Sequence, residues 1–385
     1  MLAARRVPAL LALGAALLAL SGCAAPLESP GRTARIELVS SSTVGGYKFD
    51  HYRNLDYPCS ISGYQTFVIG TKIGSSTTAT RPLWVKLHGG GVGFFDGNGV
   101  PRPDTLSMSE ESAAQLIRRV DSVGLQKLVR DDAAGFRLMA VSMCNRDLYS
   151  GGDQPDPNNP NKQPDGRPRT TNGLFATKAA VAFARSKLPT SKAFLHGTSA
   201  GSAGVMSVAW SMEREGPKPA GVVADSGVVN TLWERARNEQ GGCNSRSEAV
   251  LAAIKARVHP ELANESNEPD LLVSRGALTV PIMHVWNRGD TNDCGDGPMI
   301  CPLRDGSTIT VGSATCAHEP LRRAIETQGA TSRSRNLRVC VSEAGSTGKC
   351  NVHVVTTRDM LSTAPAVPAD YNATIMDWVR ARLAD

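Results

Sequence analysis

The sequence predicts an α/β fold, with a mostly parallel central sheet, helices on both of its faces and a polar insertion over the functional end. Three observations predict it. From residue 82 onward, short and solidly apolar runs alternate with segments of helical spacing, as strands buried on both faces require. One such run, Ala193 to Leu195, leads through Gly197-Thr-Ser199-Ala-Gly201 into an apolar helix. Another, Pro82 to His88, delivers the run Gly89-Gly90-Gly91.

Taken in order, residues 1–22 read as a leader: Arg5-Arg6, then an apolar run from Ala9 to Leu20, then Leu20-Ser21-Gly22-Cys23. The run is too short to span a bilayer as a mature helix, and the four residues that close it resemble the lipobox of bacterial lipoproteins. That likeness implies a lipid on Cys23, a membrane anchor and a secreted location on the cell envelope. Residues 23–34, rich in Pro, Ser and Gly, are expected to be a tether, leaving 35–385 as the folded domain.

Strands are expected at Arg35–Val39 and Gln65–Ile69, with a turn-rich, aromatic stretch between them. After the strand at 82–88 come a loop to about Ser107 and one helix spaced from Glu110 to Val129. Strand 136–142 and the Pro/Asp/Asn-rich loop 153–169 lead to a helix from Thr171 to Leu188. Beyond Ser199 the expected order is a helix at 205–212, a strand at 220–224, the polar insertion 230–275, and a strand at 280–286. A helix at 319–327, a strand at 337–341 and a last helix at 371–383 complete the chain.

The 385 residues are 41% apolar and 20% charged with a formal charge of +6, ample for one large core. The cations are scattered, and no nucleic-acid partner is implied; the oligomeric state is left open. Nine cysteines, with Cys23 set aside, leave eight in an oxidising compartment, enough for four disulfides whose pairing spacing does not fix. No Cys-x-x-Cys pair suggests zinc, and Asp290, Asp293 and Asp296 lack the alternating oxygen spacing of a calcium loop. No metal or organic cofactor is implied.

Gly-x-Ser-x-Gly between a strand and a helix is the nucleophile elbow of α/β-hydrolases, because glycines at 197 and 201 remove Cβ atoms that would collide in so tight a turn. The pattern is weak alone. It gains weight from His-Gly-Gly-Gly about a hundred residues earlier, the esterase form of an oxyanion segment, and from an acid and a histidine in the right order downstream. Serine needs a base to take its proton and an acid to orient that base. Ser199 is the candidate nucleophile. Asp290, just past strand 280–286, is the candidate acid, with Asp225 after the preceding strand as the alternative. His353 is the candidate base, with His318 as the alternative. The backbone N–H groups of Gly90, Gly91 and Ala200 are the candidate oxyanion donors. His88 and His196, beside the glycine motifs, could line the site.

Three further segments narrow the likeness. Met143-Cys-Asn-Arg-Asp-Leu-Tyr-Ser-Gly151, Asp225-Ser-Gly227 and Cys350-Asn-Val-His353 resemble segments of the pectin acetylesterases and their Notum-type relatives. The resemblance spans about residues 46 to 380. It implies a serine carboxylesterase of α/β-hydrolase fold, with Ser199, Asp290 and His353 as its triad and an ester, such as that of an acetylated glycan, as its substrate. Two departures stand out: Ser202 follows the elbow where relatives commonly have glycine, and the glycine run lacks the tryptophan and cysteine often found after it. Other hydrolase chemistry on this fold, polyester cleavage or peptidase, and a non-catalytic envelope-binding lipoprotein are the alternatives.

Overall fold

The computed structural model describes residues 34–105 and 107–385. The leader, Cys23 and all but the last residue of the tether lie outside the described residues. Among the described residues, nine strands form the central sheet: β1 (Ile36–Val44), β2 (Tyr47–Pro58), β3 (Tyr64–Lys72), β4 (Arg81–Leu87), β5 (Arg137–Val141), β6 (Thr190–Thr198), β7 (Gly221–Asp225), β8 (Ile282–Asn287) and β9 (Arg335–Val339). Their order across the sheet is β1-β2-β3-β5-β4-β6-β7-β8-β9. The strands from β4 to β9 are parallel to one another, and β1 to β3 form an antiparallel meander joined to β5.

Strands β5, β7 and β8 are buried end to end, and β4 in all but its first residue, because helices cover both faces. On one face α3 (Gly173–Lys187) and α4 (Ala200–Glu215) pack Leu174, Val181, Val205 and Val208 against Val85, Leu195 and Val222. On the other, α1 (Ala113–Val120), α2 (Leu125–Asp131) and the C-terminal helix Tyr371–Ala384 pack Leu116, Val129, Ile375 and Val379 against Trp84, Phe194 and Val285. No helix among the described residues is long and apolar enough to cross a membrane. With helices on both faces of a mostly parallel sheet, the fold is that of an α/β-hydrolase.

Four expectations need correction. The aromatic stretch before residue 64 is strand β2, with Tyr47 and Phe49 pointing into the core and Lys48 outward. The helix expected from Glu110 to Val129 is two helices. The first starts at a capping box between Ser112 and Gln115. Gly124, at φ +68°, breaks the run, and a Cβ there would lie 2.4 Å from Thr356 O. The break lets Leu125 N–H donate to Thr356 O, joining this helix pair to the loop that follows His353. The helix expected at 319–327, with His318 just before it, begins earlier, so that His318 lies within the helix Ser313–Gln328. A hairpin of Pro298–Pro302 with Thr308–Gly312, unread in the sequence, precedes that helix.

The polar stretch 230–275 is largely helical, with Thr231–Glu239, Glu248–Lys255 and Pro269–Ser274 as its longer pieces. Four disulfides join Cys59 to Cys144, Cys243 to Cys294, Cys301 to Cys316 and Cys340 to Cys350.

Candidate active site

Parallel strands deliver their following loops to one end of the sheet, and the candidate residues meet there. Ser199 sits between β6 and α4 at φ +53°, ψ −122°, a conformation that costs energy for a non-glycine residue and persists where the surroundings enforce it. They do so here. Ser199 N–H donates to Asp225 O at 2.8 Å. A Cβ on Gly197 would lie 2.1 Å from Gly201 O, and one on Gly201 would lie 2.1 Å from Leu87 O. Both glycines are therefore steric requirements of the turn.

The structure brings Ser199, His353 and Asp290 into one chain. Ser199 Oγ lies 2.8 Å from His353 Nε2, and His353 Nδ1 lies 2.8 Å and 3.0 Å from the two Asp290 carboxylate oxygens. Asp290 is fully buried, while the His353 ring is 26% exposed. Burial disfavours the charged imidazole, but Asp290, with Asp293 and Asp225 behind it, outweighs burial and lifts His353 above its ordinary value. Burial in turn lifts the Asp290 carboxyl, against the pull of His353. This geometry can take a proton from serine and hold the resulting imidazolium.

The alternatives are placed elsewhere. Asp225 does not touch His353. Its carboxylate accepts from Val355 N–H at 3.2 Å, Thr356 N–H at 2.8 Å, the Thr356 hydroxyl at 2.6 Å and the Ser226 hydroxyl at 2.7 Å. Its carbonyl thus holds the serine turn while its side chain holds the loop after the histidine. That loop is under strain, since Val354, a β-branched residue, has φ +63°. His318 is fully buried and faces Asp293 at 3.2 Å and His284 at 2.9 Å, away from Ser199.

His88 and His196 lie beneath the site rather than along an open wall. His196 is buried among Gln126, Lys86 and Thr356. Burial pushes the Lys86 ammonium down to about 7, opposed by Asp225. His88 Nδ1 meets Gly89 O at 2.6 Å, and Nε2 meets Glu111 at 3.1 Å. Burial works against the Glu111 carboxylate, but His88 and the Met143 N–H hold it below its ordinary value. Ser202 is buried in α4 and donates to Gly227 O at 2.6 Å, a packing role.

The glycine run lies against the serine. A Cβ on Gly89 would fall 2.7 Å from Ser199 Cβ. Gly90 and Gly91 have φ +147° and +77°, the second in the left-handed region that favours glycine. Arg146 Nη1 donates to Gly90 O at 2.7 Å, and Gly93 N–H donates to Arg146 O at 3.1 Å. Ala200 is the first residue of α4, so its N–H has no intrahelical acceptor. Beside the run, a groove of about 440 Å³ is lined by Val92, Phe94, Pro103, Val250 and Ile254 together with the charged Asp96, Arg102 and Arg246.

Asn287 was not singled out in the sequence. Fully buried at the end of β8, it donates to Val341 O at 2.7 Å and Val352 O at 2.9 Å, and accepts from Val341 N–H at 3.1 Å. Two residues on, a Cβ at Gly289 would lie 2.4 Å from Lys349 O. The polar Asn-Arg-Gly-Asp ending of an apolar strand was the available signal. Among the described residues, no cluster of three or more His, Cys, Asp or Glu side chains could hold a metal.

Among solved structures, the chain is similar to the Wnt deacylase Notum from Drosophila. The identity is 15%, over 90% of this chain and 94% of that one, with a TM-score of 0.53. It is also similar to carboxyl esterase 2 from the mycorrhizal fungus Tuber melanosporum. There the identity is 15%, over 92% of each chain, with a TM-score of 0.48. The sequence matches no protein-family model and no curated protein. At such identities the likeness to Notum bears on the fold, and it agrees with the α/β-hydrolase architecture described above.

Proposed function

We propose that the protein is a secreted serine carboxylesterase, acetylesterase-like, that cleaves an ester through an acyl-enzyme. The observation that carries this reading is the hydrogen-bonded chain Ser199–His353–Asp290, with both links at 2.8 Å, at the carboxyl ends of the parallel strands. In this reading His353 Nε2 takes the Ser199 proton as Oγ attacks the ester carbonyl. The oxyanion receives hydrogen bonds from Ala200 N–H and from the Gly90 and Gly91 N–H groups. His353 then gives its proton to the departing alcohol, and a water activated by the same ring releases the acid.

Four disulfides support an oxidising location, and the leader with Leu-Ser-Gly-Cys23 supports a lipid anchor on the cell envelope. In this reading the 230–275 segment covers the site. Acetylated glycan is the leading substrate class, on the likeness of the Cys-x-x-His and Asp-Ser-Gly segments to those of acetylesterases. The apolar part of the groove beside Val92, formed with Phe94, Pro103, Val250 and Ile254, supports a second reading, a longer apolar acyl group, although Asp96, Arg102 and Arg246 also line it.

The test is hydrolysis of aryl esters of graded acyl length, with Ser199→Ala as control. Turnover that the alanine variant lacks is expected. A wild type inactive on every ester, or a variant as active as wild type, overturns the esterase reading. Acetyl preferred over octanoyl favours the deacetylase version, and the reverse favours the longer acyl group.

A further inference from the structure

The candidate oxyanion segment needs anchors because it is made of glycines, which hold no conformation by themselves. Arg146 supplies two, on Gly90 O and Gly93 N–H. A third comes from the far side of the sequence. Arg257, in the 230–275 segment, donates through Nη1 to Gly93 O. The same guanidinium forms a two-point ion pair with Asp156, through Nε at 2.6 Å and Nη2 at 3.1 Å. Its Nη2 also donates to Asn145 O at 2.6 Å and Ser60 Oγ at 2.9 Å. The Arg257 side chain is 1% exposed and that of Asp156 is fully buried.

The partners are placed to matter. Ser60 and Asn145 are the neighbours of Cys59 and Cys144, which a disulfide joins. Arg257 thus joins the helical segment, the disulfide-linked loops and the glycine run at one buried point. A planar fork can reach four residues in this way, whereas a lysine ammonium on a flexible stem cannot. A buried charge with so many partners is costly to disturb, so the junction sets one geometry.

Resting on the esterase reading above, we propose that Arg257 is a positioning residue that fixes the oxyanion segment through Gly93. Its side chain touches no substrate. Its effect is to hold the N–H groups of the glycine run where the transition-state oxyanion forms.

The test compares the full chain with Arg257→Lys, Arg257→Ala and Asp156→Asn. The readouts are ester hydrolysis and affinity for an alkyl trifluoromethyl ketone, which forms a serine hemiketal bearing an oxyanion. For Arg257→Lys, kcat is expected to fall about 100-fold, with KM within about twofold. Affinity for the ketone should fall by a similar factor. The acid limb of the pH profile should not move, because His353 and Asp290 are untouched. Arg257→Ala should recover part of its rate when guanidinium ion is added. If the arginine variants fail to fold, Asp156→Asn decides, with about a tenfold loss in kcat and ketone affinity expected.

A folded lysine variant with unchanged kcat overturns the proposal. So does a fall in kcat without a fall in ketone affinity, or an unchanged Asp156→Asn where that variant decides. A wild type that neither turns over esters nor binds the ketone overturns the esterase reading itself, which is a different result.

Discussion

His353 and Asp290 make the most exacting claim at the scale of single residues, because their proton affinities are tied. A base must be neutral to accept the serine proton, so activity falls once pH drops below the His353 value. That value stands above the ordinary 6.5 because Asp290, helped by Asp293 and Asp225, outweighs burial. The acid limb of kcat/KM is therefore expected above pH 6.5. Asp290→Asn should lower kcat by roughly 10³–10⁴-fold and move the acid limb toward lower pH, since burial is then opposed only by the more weakly acting Asp293 and Asp225; a limb that stays in place assigns it to another group. That these two residues would meet Ser199 was legible in the sequence because each follows an apolar strand with a recognisable turn. Arg257 and Glu111 were not. Arg257 is one cation in a polar stretch, and its carboxylate partner lies 101 residues away. Nothing local marks such a pair.

At the scale of elements, the loop after β9 is the piece whose conformation most needs support. It carries His353, then Val354 at positive φ, then two N–H groups that end on Asp225. Asp225→Asn exchanges one acceptor oxygen for a donor facing those groups. The expected cost is about 1–3 kcal/mol in urea unfolding, with a fall in kcat larger than any change in KM. The acid limb should move far less than in Asp290→Asn; an equal displacement would mean that Asp225 acts as the triad acid. The sequence marked this aspartate but suggested a different task, because a carboxylate at a strand end looks the same whether it orients a ring or binds backbone. Apolar runs read well as strands for the same reason that they are buried. Strand β2 escaped because Asp50, Arg53 and Asn54 interrupt its apolar alternation. The break at Gly124 escaped because apolar spacing continues through it, while the contact that requires glycine lies on Thr356.

At the scale of the whole molecule, three of the four disulfides lie close in sequence to the candidate site residues or their anchors. Cys59–Cys144 lies beside the Arg257 junction, Cys340–Cys350 ends three residues before His353, and Cys294, four residues past Asp290, is linked to Cys243. Cys243 is exposed, whereas Cys59, Cys144, Cys301, Cys316, Cys340 and Cys350 are buried. Mild reduction of the folded protein should therefore release two thiols rather than eight, at Cys243 and Cys294, identified by alkylation and mass spectrometry. Opening that 51-residue separation should cost up to about 4 kcal/mol and lower the rate by loosening the acid loop; eight thiols released together would place the weak point in the core instead. Pairing was illegible in the sequence because spacing does not report which loops the sheet brings together. Read jointly, the Cys243–Cys294 bond and the Arg257 junction fasten the 230–275 segment on two sides, to the acid loop and to the glycine run. If that segment frames the substrate's entry, as proposed above, it is expected to act as a fixed gauge, with turnover insensitive to solvent viscosity, as for a keyhole rather than a door.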